Sequence, residues 1–133
     1  MEWTSIRAPM TITEVEQAEK ALKVILPNDY KQVIGSINGG ALRGAWVNVP
    51  GVGEVPYSRN VSLHKDAVAS VFDLFDAVNC GTKNLFPFGS VGNGDYFCFE
   101  LTCETVVLYL HETQTTVYVC DSYSQLLESL NFD

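Results

Sequence analysis

The 133 residues are 47% hydrophobic and 18% charged, which suits one domain with a core of its own and is too little chain for two ordinary ones. Sixteen Asp and Glu against eight Lys and Arg leave a formal net charge of −8. That field repels nucleic-acid phosphates and anionic lipid heads and favours a basic protein as partner, although it would also serve solubility alone.

No apolar run approaches the roughly 20 residues that cross a bilayer. The start, MEWTSIRAPMTITEVEQ, has neither the basic cluster nor the apolar stretch of a secretory signal, so the expected compartment is the cytoplasm. Cys80, Cys98, Cys103 and Cys120 contain no CxxC spacing and no paired histidines, and reduced, mostly buried thiols are expected, with no metal and no disulfide.

In chain order, a first helix is expected from Thr13, where Thr13 and Glu16 have capping-box spacing and Val15, Ala18, Leu22 and Ile25 make an apolar stripe. LPNDYKQVIGSINGG then reads as a second helix from Pro27 to Asn38. Pro27 suits a first turn, Asn28 and Asp29 offer acceptors to its exposed amides, and Gly39 can take the positive φ of a helix C-cap. LRGAWVNVP and GVGEVPYS suggest short strands, with Pro50 and Pro56 arguing against a central place in a sheet. Helical spacing returns through Val68, Val71, Phe72, Phe75 and Val78.

From Leu85 on, FPFGSVG and DYFCFEL flank the turn-forming Gly92-Asn93-Gly94, and VVLYLHET and TTVYVCD follow. Successive antiparallel strands of this kind make a C-terminal meander. SYSQLLESL closes the chain as a helix, with Ser122 and Gln125 at capping-box spacing and Leu126, Leu127 and Leu130 on one side. The order predicts a single α+β domain, helices packed on an antiparallel-rich sheet.

Signs of catalysis are sparse. Two histidines, His64 and His111, lie outside any recognisable catalytic pattern, and His111-Glu112 lacks the second histidine of a zinc-hydrolase motif. The glycines of INGGALRG follow a helix, whereas a phosphate loop must precede one, and those of GSVGNGD fit a hairpin turn. Trp46, Tyr57 and Phe72 could line a groove, but aromatics in a chain of this size belong first to the core. Asp95, Glu100, Glu104, Glu112 and Asp121 gather in the sheet half without a spacing that singles out an acid–base pair. They read as a solvated face or a docking surface.

Two pieces carry a resemblance: Leu-Pro followed by Asp29-Tyr30 and ending in Asn38-Gly39-Gly40, and Pro87-Phe88-Gly89 followed by Gly94-Asp95. In this order, between an acidic first helix and a final SYSQLLESL, they resemble the SUKH superfamily of Smi/Knr-like domains from about Thr13 to Leu130. That group contains yeast cell-wall regulators and many bacterial immunity proteins. The resemblance implies a SUKH-like fold, no enzymatic activity, no cofactor, and a cognate toxin as protein partner, held on an acidic face. Asp95, Glu100, Glu104 and Glu112 are the candidate partner-binding residues. A regulatory adaptor using the same surface and a small-molecule-binding domain are the alternatives.

Overall fold

Helix α1 spans Ile12–Leu22 and is capped by Thr11, whose hydroxyl accepts from the Glu14 amide at 3.2 Å while the Glu14 carboxylate accepts from the Thr11 amide at 3.0 Å. The cap thus falls two residues before the expected Thr13. The Thr-x-x-Glu spacing occurs twice here, and the first copy is selected because the Met10 amide donates to the Gly35 carbonyl at 2.8 Å, fixing the entry to the helix. Val15 and Ala18 are buried, but the helix ends at Lys23 in the left-handed region (φ 58°). Ile25, expected on the buried stripe, therefore lies beyond it and is 81% exposed. The computed structural model describes residues 1–6, 9–79 and 84–133. Cys80 lies outside these residues. Cys98 is buried, Cys120 half-buried and Cys103 exposed, so burial of the thiols is only partial.

Helix α2 spans Asn28–Ile37 and buries Tyr30 and Ile34. Its first turn is tied to α1 through Glu19, which accepts from the Leu26 amide at 2.8 Å and pairs with Lys31 at 2.9 Å. Asn38 (φ −55°, ψ 124°) and Gly39 (φ 70°) follow, with the Gly40 amide donating to Ile37 O at 2.8 Å. These are the marks of a type II turn, in which glycine supplies the positive φ at the third position. Gly39 thus serves the turn after the helix, where a helix C-cap was expected. Asn38, fully buried, donates to Ser62 Oγ at 3.2 Å and accepts from the Leu63 amide at 2.9 Å.

Strands β1 (Ala45–Val49) and β2 (Gly53–Pro56) form a hairpin, and β3 is the two-residue Arg59–Asn60. Pro50 falls just past β1 and Pro56 closes β2, which is an edge, as a missing N–H requires. Helix α3 (Val71–Val78) is shorter than its spacing suggests. Ala69 is left-handed (φ 53°), the Ser70 amide donates to Asp73 at 3.2 Å, and Val68 stays 85% exposed in the preceding turn.

Strands β4 (Leu85–Ser90), β5 (Tyr96–Glu100), β6 (Thr105–Leu110) and β7 (Thr115–Cys120) are the expected antiparallel meander, and β3 adds a fifth strand in the order β3-β4-β5-β6-β7. Helix α4 (Tyr123–Ser129) follows, with Ser122 Oγ accepting from the Gln125 amide. The Gln125 side chain takes the Asp121 amide at 2.9 Å. The short β8 (Asn131–Phe132) returns to β1, giving a second sheet in the order β2-β1-β8.

One face of the large sheet, with Phe86, Phe88, Phe97, Phe99, Val106 and Leu108, packs in the main core with Val15, Tyr30, Ile34, Tyr123 and Leu126 from the helices. The other face carries a smaller cluster of Leu85, Cys98, Val107 and Tyr109 under Val78 of α3. Strands β4 to β6 are buried on both sides, which is why they read as apolar runs without alternation.

A bulge between Pro87 and Gly89 sets the Gly89 position opposite Phe97 on the core face. A Cβ there would lie 2.4 to 2.7 Å from ring carbons and the hydroxyl oxygen of Tyr57, whose ring stacks on Phe97 at 5.4 Å. The glycine of Pro-Phe-Gly is therefore the space that Tyr57 fills. Gly89→Ala is expected to lower stability by about 1–3 kcal/mol through overpacking, read as a lower urea midpoint with an unchanged slope. An unchanged midpoint would mean that the Tyr57 ring yields freely.

Candidate functional site

A meander sends alternate turns to opposite ends of its sheet. Asp95 stands at the start of β5 and Glu112 in the β6–β7 turn, so they share one end. Glu100 closes β5, Glu104 lies in the β5–β6 turn and Asp121 follows β7, so these three share the other. At about 3.3 Å per residue, five or six residues of strand separate the two ends by roughly 15–20 Å. The four candidate carboxylates are thus divided two and two.

At the first end the Asp95 carboxylate is engaged within the fold. It accepts from the His111 amide at 3.0 Å and meets the His111 ring Nδ1 at 2.5 Å. Glu112, next to this pair, is exposed.

The second end is the more elaborate. Glu100 accepts from the Cys103 thiol at 3.0 Å and from the Thr102 amide at 3.3 Å, and these bonds, the thiol's first, hold its pKa below the ordinary value and the group ionised. Glu104 is exposed at the last position of the four-residue turn, in the left-handed region (φ 60°), its amide donating to Glu100 O at 2.7 Å. Exposed Asp121 accepts from the Tyr118 hydroxyl. Asp29 joins α2 to α4: one oxygen accepts from the Tyr30 amide at 2.8 Å, the other from the Ser124 amide and hydroxyl at 3.0 and 2.9 Å.

Glu104, Asp121 and Asp29 line an open groove of about 400 Å³ together with Cys103, Pro27 and exposed Ile25. An apolar rim beside carboxylates suits a Lys or Arg side chain, which lays its stem on apolar surface and sets its head in charge. Residues 84–133 carry seven carboxylates and no Lys or Arg, while the preceding 83 carry nine carboxylates and all eight cations. This segregation is plain in the sequence once the cations are mapped along with the carboxylates. Ile25 and Asp29 had no such signal, since they reach the groove only through the packing of α2 on α4.

The remaining candidates are dispersed. His64 is half-buried in the turn before α3, and Tyr57 is a core residue. Trp46 is half-buried and donates to Asp133 at 3.2 Å. A smaller cavity of about 80 Å³ between Gly39, Arg59, Ser62, Ser90 and Tyr96 is lined by neither histidine nor carboxylate. Among the described residues, no three His, Cys, Asp or Glu side chains gather closely enough to hold a metal ion, and no helix is long and apolar enough to cross a membrane.

Residues 9–129 match the SMI1 / KNR4 family (SUKH-1). No curated protein matches the chain.

Glu104→Gly should relieve the left-handed backbone and raise stability by up to about 1 kcal/mol in urea unfolding. A loss of stability would instead reveal a structural role for this carboxylate.

Proposed function

Because the chain belongs to the SMI1 / KNR4 family (SUKH-1), a family of generally non-catalytic immunity-type domains, we propose that it binds and neutralises a cognate bacterial toxin domain in the cytoplasm of the producing cell. The observation that carries this reading is the cation-free acidic stretch of residues 84–133, whose Glu104 and Asp121 flank an open groove with an exposed apolar rim, Glu100 standing at the same end of the sheet. The reaction required of such a protein is association alone, and the groove offers what association with a basic surface needs.

Toxins that cleave nucleic acid present cationic substrate grooves. A carboxylate cluster steers such a surface inward, and partner lysines or arginines then exchange their nucleic-acid contacts for Glu104 and Asp121. Fixed hydrogen bonds on Glu100 and Asp29 hold their charges in place before the partner arrives, which reduces the ordering cost of association. The toxin's active site is covered, and no bond is made or broken. Asp95 and Glu112, at the far end of the sheet, then lie at the margin of the interface or outside it.

Co-expression with the toxin domain encoded beside it should rescue growth and yield a direct complex. Charge reversal at Glu100, Glu104 and Asp121 together should slow association by about tenfold or more at low salt and flatten its salt dependence, whereas Glu112→Lys, a single charge at the margin, should slow it by a smaller factor. Unchanged kinetics in the triple variant would remove the assignment of the interface, and absence of any toxin complex would remove the immunity reading.

A further inference from the structure

Among the described residues four strands end a sheet, and three of them are blunted. β3 is two residues long and is bridged on its outer side by Ala41, which is itself bridged to Thr4. β8 is two residues long, and β2 has four residues and ends in Pro56. β7 differs in every respect. It has six residues, TTVYVC, without proline, Lys, Arg or a carboxylate. Among the described residues its sole ladder partner is β6, and no hydrogen bond from outside that ladder reaches its main chain. α4 and β1 come against it without adding to the ladder.

Its one irregularity lies at Val119, so Thr115 to Tyr118 keep regular pairing with Leu110 to Val107. Thr115, Thr116 and Tyr118 are exposed, the last to 51%. An edge of this length and composition is a row of unsatisfied N–H and C=O groups, which proteins ordinarily shorten, charge or cover.

We infer that β7 receives an extended, Lys- or Arg-bearing segment of the protein partner as a sixth strand of the large sheet. The inference rests on the toxin-binding reading and specifies how the partner is held. The charges flanking the edge choose the occupant. Glu112 stands in the turn before β7 and Asp121 directly after it, beside the Glu104 groove. A second copy of this chain laid antiparallel would set Glu112 against Asp121 at both ends of the pair, like charge on like charge. A basic strand meets carboxylates at both ends instead. Main-chain bonds along β7 supply affinity that does not depend on side chains, and alternate side chains of the added strand pack beside Thr116 and Tyr118, which continue the rows of Tyr109 and Val107.

The test is amide hydrogen exchange and NMR shifts of the full chain at low salt, titrated with a capped six-residue peptide alternating Lys and Val and with its counterpart carrying Glu in place of Lys. The Lys peptide should slow exchange about tenfold or more at the outward amides of Thr115–Cys120. The Glu peptide should not, and Thr116→Lys or Tyr118→Lys should abolish the protection while leaving the unfolding midpoint unchanged. Shifts at Glu104 and Asp121 with β7 amides exchanging as in the free protein would overturn this inference and leave the acidic-groove reading standing. No response at either place would count against both. Dimerisation of the free protein through β7, seen by sedimentation, would also overturn it.

Discussion

The ring of Tyr30 is the contact on which the rest of the molecule depends. Carried by α2, it stands edge-on to Phe86, Phe88, Phe99 and Tyr123, at centroid distances of 6.1, 6.0, 5.1 and 5.3 Å. One side chain thus joins α2, β4, β5 and α4, and loss of a ring so buried costs on the order of 3–5 kcal/mol. Burial also pushes the Tyr30 hydroxyl, and that of Tyr123, well up from the ordinary range, and neither has a hydrogen-bond partner among the described residues. Two unpartnered hydroxyls at the centre of the core oppose stability, so it is the packing of the rings that holds this junction together.

The acidic groove is an outward consequence of that junction. Asp29 precedes Tyr30, and once the ring is seated its carboxylate reaches the first turn of α4 at Ser124. The two helix starts are thereby fixed at the end of the sheet where Glu100, Glu104 and Asp121 emerge. A docking surface built this way borrows its rigidity from the core, while its charge comes from a stretch of chain that has discarded every Lys and Arg. Architecture and recognition are carried by different residues, and the asparagine–glycine turn and the Pro-Phe-Gly bulge serve the first alone.

Much of this was legible in the sequence, and the failures have local causes. The second helix was read within one residue of its observed start, since Pro27 and the buried spacing of Tyr30 and Ile34 point the same way. The first helix was misplaced because two Thr-x-x-Glu patterns overlap and only a tertiary bond from Met10 chooses between them. Val68 continued a helical spacing that Ala69 interrupts by turning left-handed, a choice invisible to periodicity. β3 and β8, at two residues each, are too short to leave a pattern. The carboxylates looked like one group because they lie within 18 positions from Asp95 to Glu112, yet antiparallel strands send neighbours in sequence to opposite ends in space. The groove at Ile25 and Asp29 needs the fold itself.

A hydrogen-exchange footprint of the complex with the toxin domain tests the central claim most directly, because it reads the whole surface without assuming which residues matter. The account predicts protection over residues 100–104 and 115–124 and around Ile25–Asp29, with the turn at 91–95 exchanging as in the free protein. Protection confined to 91–95 and 111–114, or to the small sheet of β1, β2 and β8, would contradict it.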